Sequence, residues 1–259
     1  MKKTVQNLLV VSNRRLNKDH ALLELKSEIP LQGIVPGQFG NILVEKSPST
    51  FLRRPFSIYQ VDYKSNTISF LIKAIGEGTK SLSNCVSGEI LSVIFPLGNG
   101  YTIPEKKSRV LLVGGGVGIA ALMILAGDLH QAGHHVEILL GARSADDLVE
   151  LDTFSSFGVV HTTTEDGTLG TKGYVTNHPV FGETFSSFDK VYTCGPEPMM
   201  KAVAKLAVNG NVACEVSLEN TMACGYGVCL CCVTQTTEGH KCVCTEGPVF
   251  DLKKLKWQN

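Results

Sequence analysis

Six of the nine cysteines in this 259-residue chain fall within Cys224–Cys244, at positions 224, 229, 231, 232, 242 and 244. Cys224, Cys229 and Cys232 form a C-x4-C-x2-C run, a spacing that holds [2Fe–2S] clusters through four thiolates on two irons. Gly225 and Gly227 lie inside the run. Glycine supplies the backbone freedom a loop needs to wrap a cluster and aim N–H groups at its sulfurs. A four-cysteine zinc site would call for two short C-x2-C knuckles, and only Cys229 and Cys232 form one. The chemistry expected here is one-electron transfer through iron and sulfur. The fourth ligand stays open between Cys242 and Cys244. Two apart on a strand, they would point to one face.

Electrons need a source, and other residues suggest one. Arg53-Arg54-Pro55-Phe56-Ser57 combines a guanidinium fork for phosphate, a proline-fixed backbone and a hydroxyl that can bond a flavin ring edge. Gly76-Glu77-Gly78-Thr79 could present N–H groups and a hydroxyl to a pyrophosphate at a helix start. Gly114-Gly115-Gly116-Val117-Gly118 follows an apolar strand and departs from G-x-G-x-x-G, because Ile119 takes the third glycine slot. Cys194-Gly195-Pro196-Glu197-Pro198-Met199 marks a second turn from strand to helix. Each motif is weak alone, since turns and helix caps use the same residues.

The elements that must carry these motifs fall into three parts. Residues 1–103 read as β segments at Val5–Ser12, Ala21–Lys26, Gly40–Glu45, Phe56–Val61, Thr67–Ala74 and Glu89–Phe95, which suggests an antiparallel barrel. A charged linker around Ile103–Ser108 leads into 104–213, where strand and helix alternate. Strands are expected at Arg109–Val113, His135–Gly141, Val159–Thr163, Lys190–Cys194 and Val212–Val216, the last closing the sheet. Helices are expected at Gly118–Ala132, Ala145–Phe154, Lys172–His178 and Pro198–Val208. That order predicts a doubly wound parallel sheet with ligands at its carboxyl edge. Residues 214–259 hold the cysteines.

Lys+Arg and Asp+Glu are each 24, so net charge gives no argument for nucleic acid or an anionic membrane. Val110–Gly127 is nearly free of polar residues, but its four clustered glycines fit strand, turn and helix better than a spanning helix. Met1–Asn7 run into only a short apolar stretch before Ser12-Asn13-Arg14-Arg15, so no signal peptide is expected. Clustered cysteines, odd in total, fit metal ligation in a reducing cytoplasm better than disulfides. Hydrolase chemistry finds no H-e-x-x-H-type or G-x-S-x-G motif.

Together, Arg54-Pro55-x-Ser57, Gly114–Gly118 and Cys194-Gly195-x-x-x-Met199 stand in the order of the ferredoxin–NADP reductase superfamily, which the chain resembles. Met222–Cys232, Val243–Phe250, Arg53–Ile58, Gly76–Thr79 and Pro96–Gly100 narrow the resemblance to electron-transfer subunits of dihydroorotate dehydrogenase B. The resemblance implies FAD on the barrel, NAD on the second domain and a [2Fe–2S] cluster in the tail. By the same likeness Arg54, Pro55, Phe56, Ser57, Leu71, Ile72, Lys73, Gly78 and Thr79 line FAD. Gly114, Gly115, Gly116, Gly118, Cys194, Gly195 and Met199 face NAD. Cys224, Cys229, Cys232 and Cys244 hold the cluster, although the last cysteine follows sooner than in plant ferredoxins.

Ser57 is expected to tune flavin N5, and Cys194 to lie near the nicotinamide without acting as a nucleophile. Only Arg143, with Asp146 and Asp147 close by, follows the second strand of the sheet, which points to NAD over NADP. The implied partner is an FMN-bearing catalytic subunit that oxidises dihydroorotate in pyrimidine synthesis, two copies of each subunit assembling as a heterotetramer. Two competing expectations are a stand-alone or sulfhydrogenase-type NAD(P)H–acceptor reductase and a plain iron–sulfur carrier, which would leave the nucleotide turns unexplained.

Overall fold

Alternating apolar residues in the first hundred positions close a barrel. The computed structural model describes residues 3–257; Met1 and Lys2, part of the signal-peptide reading, and Gln258 and Asn259, part of the 214–259 range, lie outside them. Strands β1 (Thr4–Arg15), β2 (His20–Lys26), β3 (Phe39–Ile42), β4 (Arg54–Asp62), β5 (Thr67–Lys73) and β6 (Ile90–Leu97) pair antiparallel in the order β1-β2-β5-β4-β3-β6. Helix α1 (Glu77–Ser83) joins β5 to β6. Leu23, Ile42, Ile58, Phe70, Ile72 and Val93 meet inside, each almost wholly removed from water. The expected strand Gly40–Glu45 is Phe39–Ile42 instead. Gly40 is needed there, because a Cβ would come within 2.9 Å of the Phe70 ring in the barrel core.

The second part is the expected parallel sheet. Its elements are β7 (Arg109–Gly115), α2 (Met123–Gln131), β8 (His135–Ala142), α3 (Leu151–Ser155), β9 (Val159–Thr164), β10 (Thr171–Lys172), β11 (Lys190–Cys194), α4 (Glu197–Asn209) and β12 (Ala213–Ser217). The cysteine-rich tail adds β13 (Val233–Thr236), β14 (Gly239–Cys242), α5 (Val243–Glu246) and β15 (Val249–Asp251). The sheet order is β10-β9-β8-β7-β11-β12-β15. So Val212–Val216 does not close the sheet; β15 returns from the tail and pairs antiparallel with β12. Strand order reverses between β7 and β11, and the carboxyl ends there form the crevice where such sheets bind ligands.

Three expected helices differ. After β7 the chain makes a 3-10 turn over Gly116–Leu122, and α2 begins only at Met123, not Gly118. Gly116 adopts a left-handed φ of +54° to enter that turn. The stretch Ala145–Phe154 is broken: a 3-10 turn spans Ala145–Asp147, and Glu150 sits at φ +62° before α3. Its carboxylate is held by Arg14 and Tyr59 of the barrel and by Thr153 of α3. Lys172–His178 yields β10 and a 3-10 turn at Val175–Asn177, with Gly173 at φ +115° between them. Among the described residues no helix is long and apolar enough to cross a membrane; Val110–Gly127 is strand, turn and helix.

Candidate functional site

The Arg54–Ser57 motif opens β4, where strand pairing sets its alternation. Gly40 opposes Phe56 and Ile42 opposes Arg54, while Phe39 opposes Ser57 and Asn41 opposes Pro55. Residues directly across a ladder share a face. Phe56 packs on the barrel core, so Pro55 and Ser57 face outward with Phe39 and Asn41. Ser57 is half-buried, and no described residue engages its hydroxyl in a hydrogen bond.

The two adjacent arginines have separate duties. Arg53 donates to the Ser92 carbonyl at 2.7 Å, to Ser92 Oγ at 2.9 Å and to the Asn41 carbonyl at 3.3 Å, which fixes it to the barrel. Among the described residues Arg54 donates only to the nearby Leu52 carbonyl, leaving most of its fork for an anion. At the end of β5, Leu71 and Lys73 face outward while Ile72 lies in the barrel core. Ile72 can therefore meet a cofactor only through its backbone. Gly78 is packed rather than open, since a Cβ would reach within 2.8 Å of Thr50. Thr79 Oγ1 accepts from the N–H groups of Ile75 and Gly76, so it shapes the turn.

At the sheet crevice the two glycine turns touch. A Cβ on Gly118 would lie 2.7 Å from Gly195 Cα, and Met199 packs over Gly115 and Gly195. This close approach explains why neither turn follows the usual dinucleotide fingerprint: glycines here let two backbones meet. Cys194 ends β11 beside Gly114 of β7. Its thiol is buried and donates to Glu219 Oε1 at 3.7 Å. Burial, then the Glu219 charge, pushes the Cys194 thiol well above its ordinary range. That shift favours the neutral thiol over the thiolate.

Two residues here carried no sequence signal. Burial likewise raises Glu219, though its surface remains open to solvent, so protein surrounds it without covering it. Tyr101 is buried, and its hydroxyl approaches the Thr193 carbonyl at 3.5 Å. Both sit in loops outside the motifs, and only the fold reveals them, Glu219 through the Cys194 thiol and Tyr101 through the neighbouring Thr193 carbonyl.

The cysteine loop has the hydrogen bonding a cluster needs. Cys224 Sγ accepts from the N–H groups of Tyr226 and Cys229, each at 3.5 Å. Cys229 Sγ accepts from Cys231 N–H and Cys232 Sγ from Cys244 N–H, each at 3.4 Å. Burial opposes ionisation of Cys224, but the Cys229 and Tyr226 N–H groups outweigh it and bring its pKa to about 6. Burial, then the bond to Cys232, pushes Cys244 up to about 12.

Cys242 and Cys244 do not share a strand face. Cys242 ends β14, and Cys244 lies in the helical turn of α5. Cys244 is fully buried in one apolar group with Cys232, Phe39, Leu97 and Phe250, whereas Cys242 packs at its edge. Among the described residues, no three His, Cys, Asp or Glu side chains are arranged to hold a single metal ion. Backbone N–H groups instead link the cysteines in pairs, Cys229 N–H to Cys224 Sγ and Cys244 N–H to Cys232 Sγ. Two thiolates per iron is the donor set of a [2Fe–2S] cluster.

Comparisons with known proteins match two stretches of the chain. Residues 219–256 match the iron-sulfur cluster binding domain of dihydroorotate dehydrogenase B, and residues 112–205 match an oxidoreductase NAD-binding domain. The dihydroorotate dehydrogenase B (NAD(+)) electron transfer subunit of Caldanaerobacter subterraneus subsp. tengcongensis is 42% identical over 245 residues, covering 93% of this chain and 94% of the relative. The subunit of the same name from Fusobacterium nucleatum subsp. nucleatum is 36% identical, covering 95% and 96%. Among solved structures, a chain of an NADH-dependent reduced ferredoxin–NADP oxidoreductase superposes with a TM-score of 0.86 at 32% identity, covering 96% of this chain and 90% of that one. The ferredoxin reductase of carbazole 1,9a-dioxygenase superposes with a TM-score of 0.72 at 22% identity, covering 82% and 67%, and shares the fold.

Proposed function

We propose a function from the premise that the chain belongs to the family of dihydroorotate dehydrogenase B (NAD(+)) electron transfer subunits: it is an NAD-linked flavin and iron–sulfur oxidoreductase that relays electrons between a catalytic subunit and NAD+. FAD, a [2Fe–2S] cluster and NAD supply two-electron hydride exchange and one-electron transfer when bound. The chain's own residues orient these groups and exclude water. Arg54 takes the FAD phosphates, Ser57 turns its hydroxyl to the flavin ring, and Leu71 and Lys73 line the outer barrel face. The Gly114–Gly118 and Gly195–Met199 turns seat the dinucleotide, and Cys194 stands at the nicotinamide as a neutral thiol. Cys224, Cys229, Cys232 and Cys244 hold the cluster. The division 1–103, 104–213 and 214–259 is retained, with β12 straddling the second boundary and β15 lending a strand back to the sheet.

The observation that carries this reading is the convergence of the three sites. Phe39, across from Ser57, is buried in one group with Cys232 and Cys244, while Tyr101 ties the end of the barrel part to the Cys194 strand. The partner is an FMN-bearing catalytic subunit acting on dihydroorotate, two copies of each chain forming a heterotetramer in the cytoplasm. Tyr226, Val228 and Leu230 are exposed around the cysteine loop and offer it an apolar rim. The 32% likeness to the ferredoxin–NADP oxidoreductase chain leaves the same relay serving another partner as a second reading.

Anaerobic NADH titration of the purified chain is expected to bleach flavin and then cluster absorbance, without dihydroorotate turnover. Turnover of dihydroorotate by the chain alone, or no bleaching by NADH, overturns the reading. Copurification identifies the partner; a partner without FMN supports the second reading instead.

A further inference from the structure

We propose that Asn41 positions the cluster loop against the flavin-binding face of the barrel and so governs electron transfer between the two. This rests on the relay reading above.

Asn41 lies on β3 directly across from Pro55, on the outward face that also carries Ser57. Its side chain is fully buried. Its Nδ2 donates to the carbonyl of Cys224, the first residue of the cysteine run, at 3.3 Å. Gly225 is fitted beneath that amide: at φ +80°, a Cβ there would stand 2.7 Å from Asn41 Nδ2. One side chain therefore spans from the strand paired with the flavin motif to the first cluster cysteine.

The other end of the amide argues against a role in barrel stability. Asn41 Oδ1 is buried and has no hydrogen-bond partner among the described residues. Buried polar atoms are nearly always paired, and no described residue pairs this one within the barrel. An apolar residue of similar size would fill this outer position without that penalty. The polar amide is explained by what it holds: the Cys224 carbonyl, and with it the approach of the cluster to Pro55 and Ser57.

The test uses the full chain carrying FAD and cluster, with Asn41→Leu and Asn41→Asp. Flavin bleaching by NADH in stopped flow is expected to stay unchanged in both. The following cluster bleaching is expected to slow by about tenfold or more in Asn41→Leu, the usual scale for losing a residue that orients a ligand. Asn41→Asp places a negative charge beside the cluster, and its reduction potential is expected to fall. Cluster reduction at the unaltered rate in Asn41→Leu overturns the proposal. So does loss of FAD together with the cluster in both variants, which would make Asn41 a barrel residue. If the unaltered chain shows no flavin bleaching and no cluster absorbance, the relay reading itself has failed, and this inference with it.

Discussion

Replacing Cys244 and Cys242 separately by serine tests the ligand set at the one position where spacing left two candidates. Cys244 is fully buried with Cys232 in the apolar group under the loop. A serine there ligates iron poorly and leaves a buried hydroxyl in apolar surroundings, a cost of about 1–3 kcal/mol beyond the lost cluster. Cys242 is half-buried at the edge of that group, and its serine variant should fall within about 0.5 kcal/mol of the unaltered chain. Iron per chain, visible absorbance and FAD content measured together decide the matter. Cys244→Ser is expected to keep FAD and its reduction by NADH but lose cluster iron, whereas Cys242→Ser keeps about two irons per chain. A Cys242→Ser variant without iron, or a Cys244→Ser variant with its full complement, would refute the assignment.

Other parts of the structure give sharper readouts of their own. Gly118→Ala must push the Gly195 backbone away and is expected to slow flavin reduction by NADH by about 10²-fold, with FAD and cluster content intact; an unchanged rate would mean the two turns do not form the dinucleotide seat. Glu150→Ala leaves the buried Tyr59 hydroxyl without its acceptor and should cost about 1–3 kcal/mol in denaturant unfolding, while Glu150→Gln, which keeps an acceptor, costs less. Equal losses in the two variants would point to the Arg14 ion pair instead. Burial opposes ionisation of Glu137, but bonds from His161 and Arg109 win and hold it below its ordinary 4.5. A depressed carboxyl stabilises above its unfolded value, so this contribution is lost as pH falls below about 4.5. Unfolding midpoints measured at neutral and acid pH should converge in Glu137→Gln relative to the unaltered chain.

Much of the candidate site was legible in the chain itself. Barrel strands announce themselves by alternation, and Arg54, Ser57, Cys194 and the C-x4-C-x2-C run are types whose chemistry is read from identity and local spacing. The three nucleotide-domain helices were misread for a shared reason. Gly116, Glu150 and Gly173 take left-handed backbone conformations that propensity does not foresee, and Glu150 does so while held by distant Arg14 and Tyr59.

What tertiary structure alone decided were relations between distant residues. The fold gives the physical reason for two choices the resemblance had made without one: Arg53 is committed to Ser92 and leaves Arg54 free, and Cys244 is buried where Cys242 is not. Asn41 and Glu219 belong to no motif; the first is 183 positions from the cysteine carbonyl it holds. Local sequence dictates which side chains can do chemistry, because that depends on covalent identity and short-range backbone geometry. Which of them meet depends on pairing β3 with β4 and folding the cysteine loop onto their outer face, where contacts form between residues the chain keeps far apart.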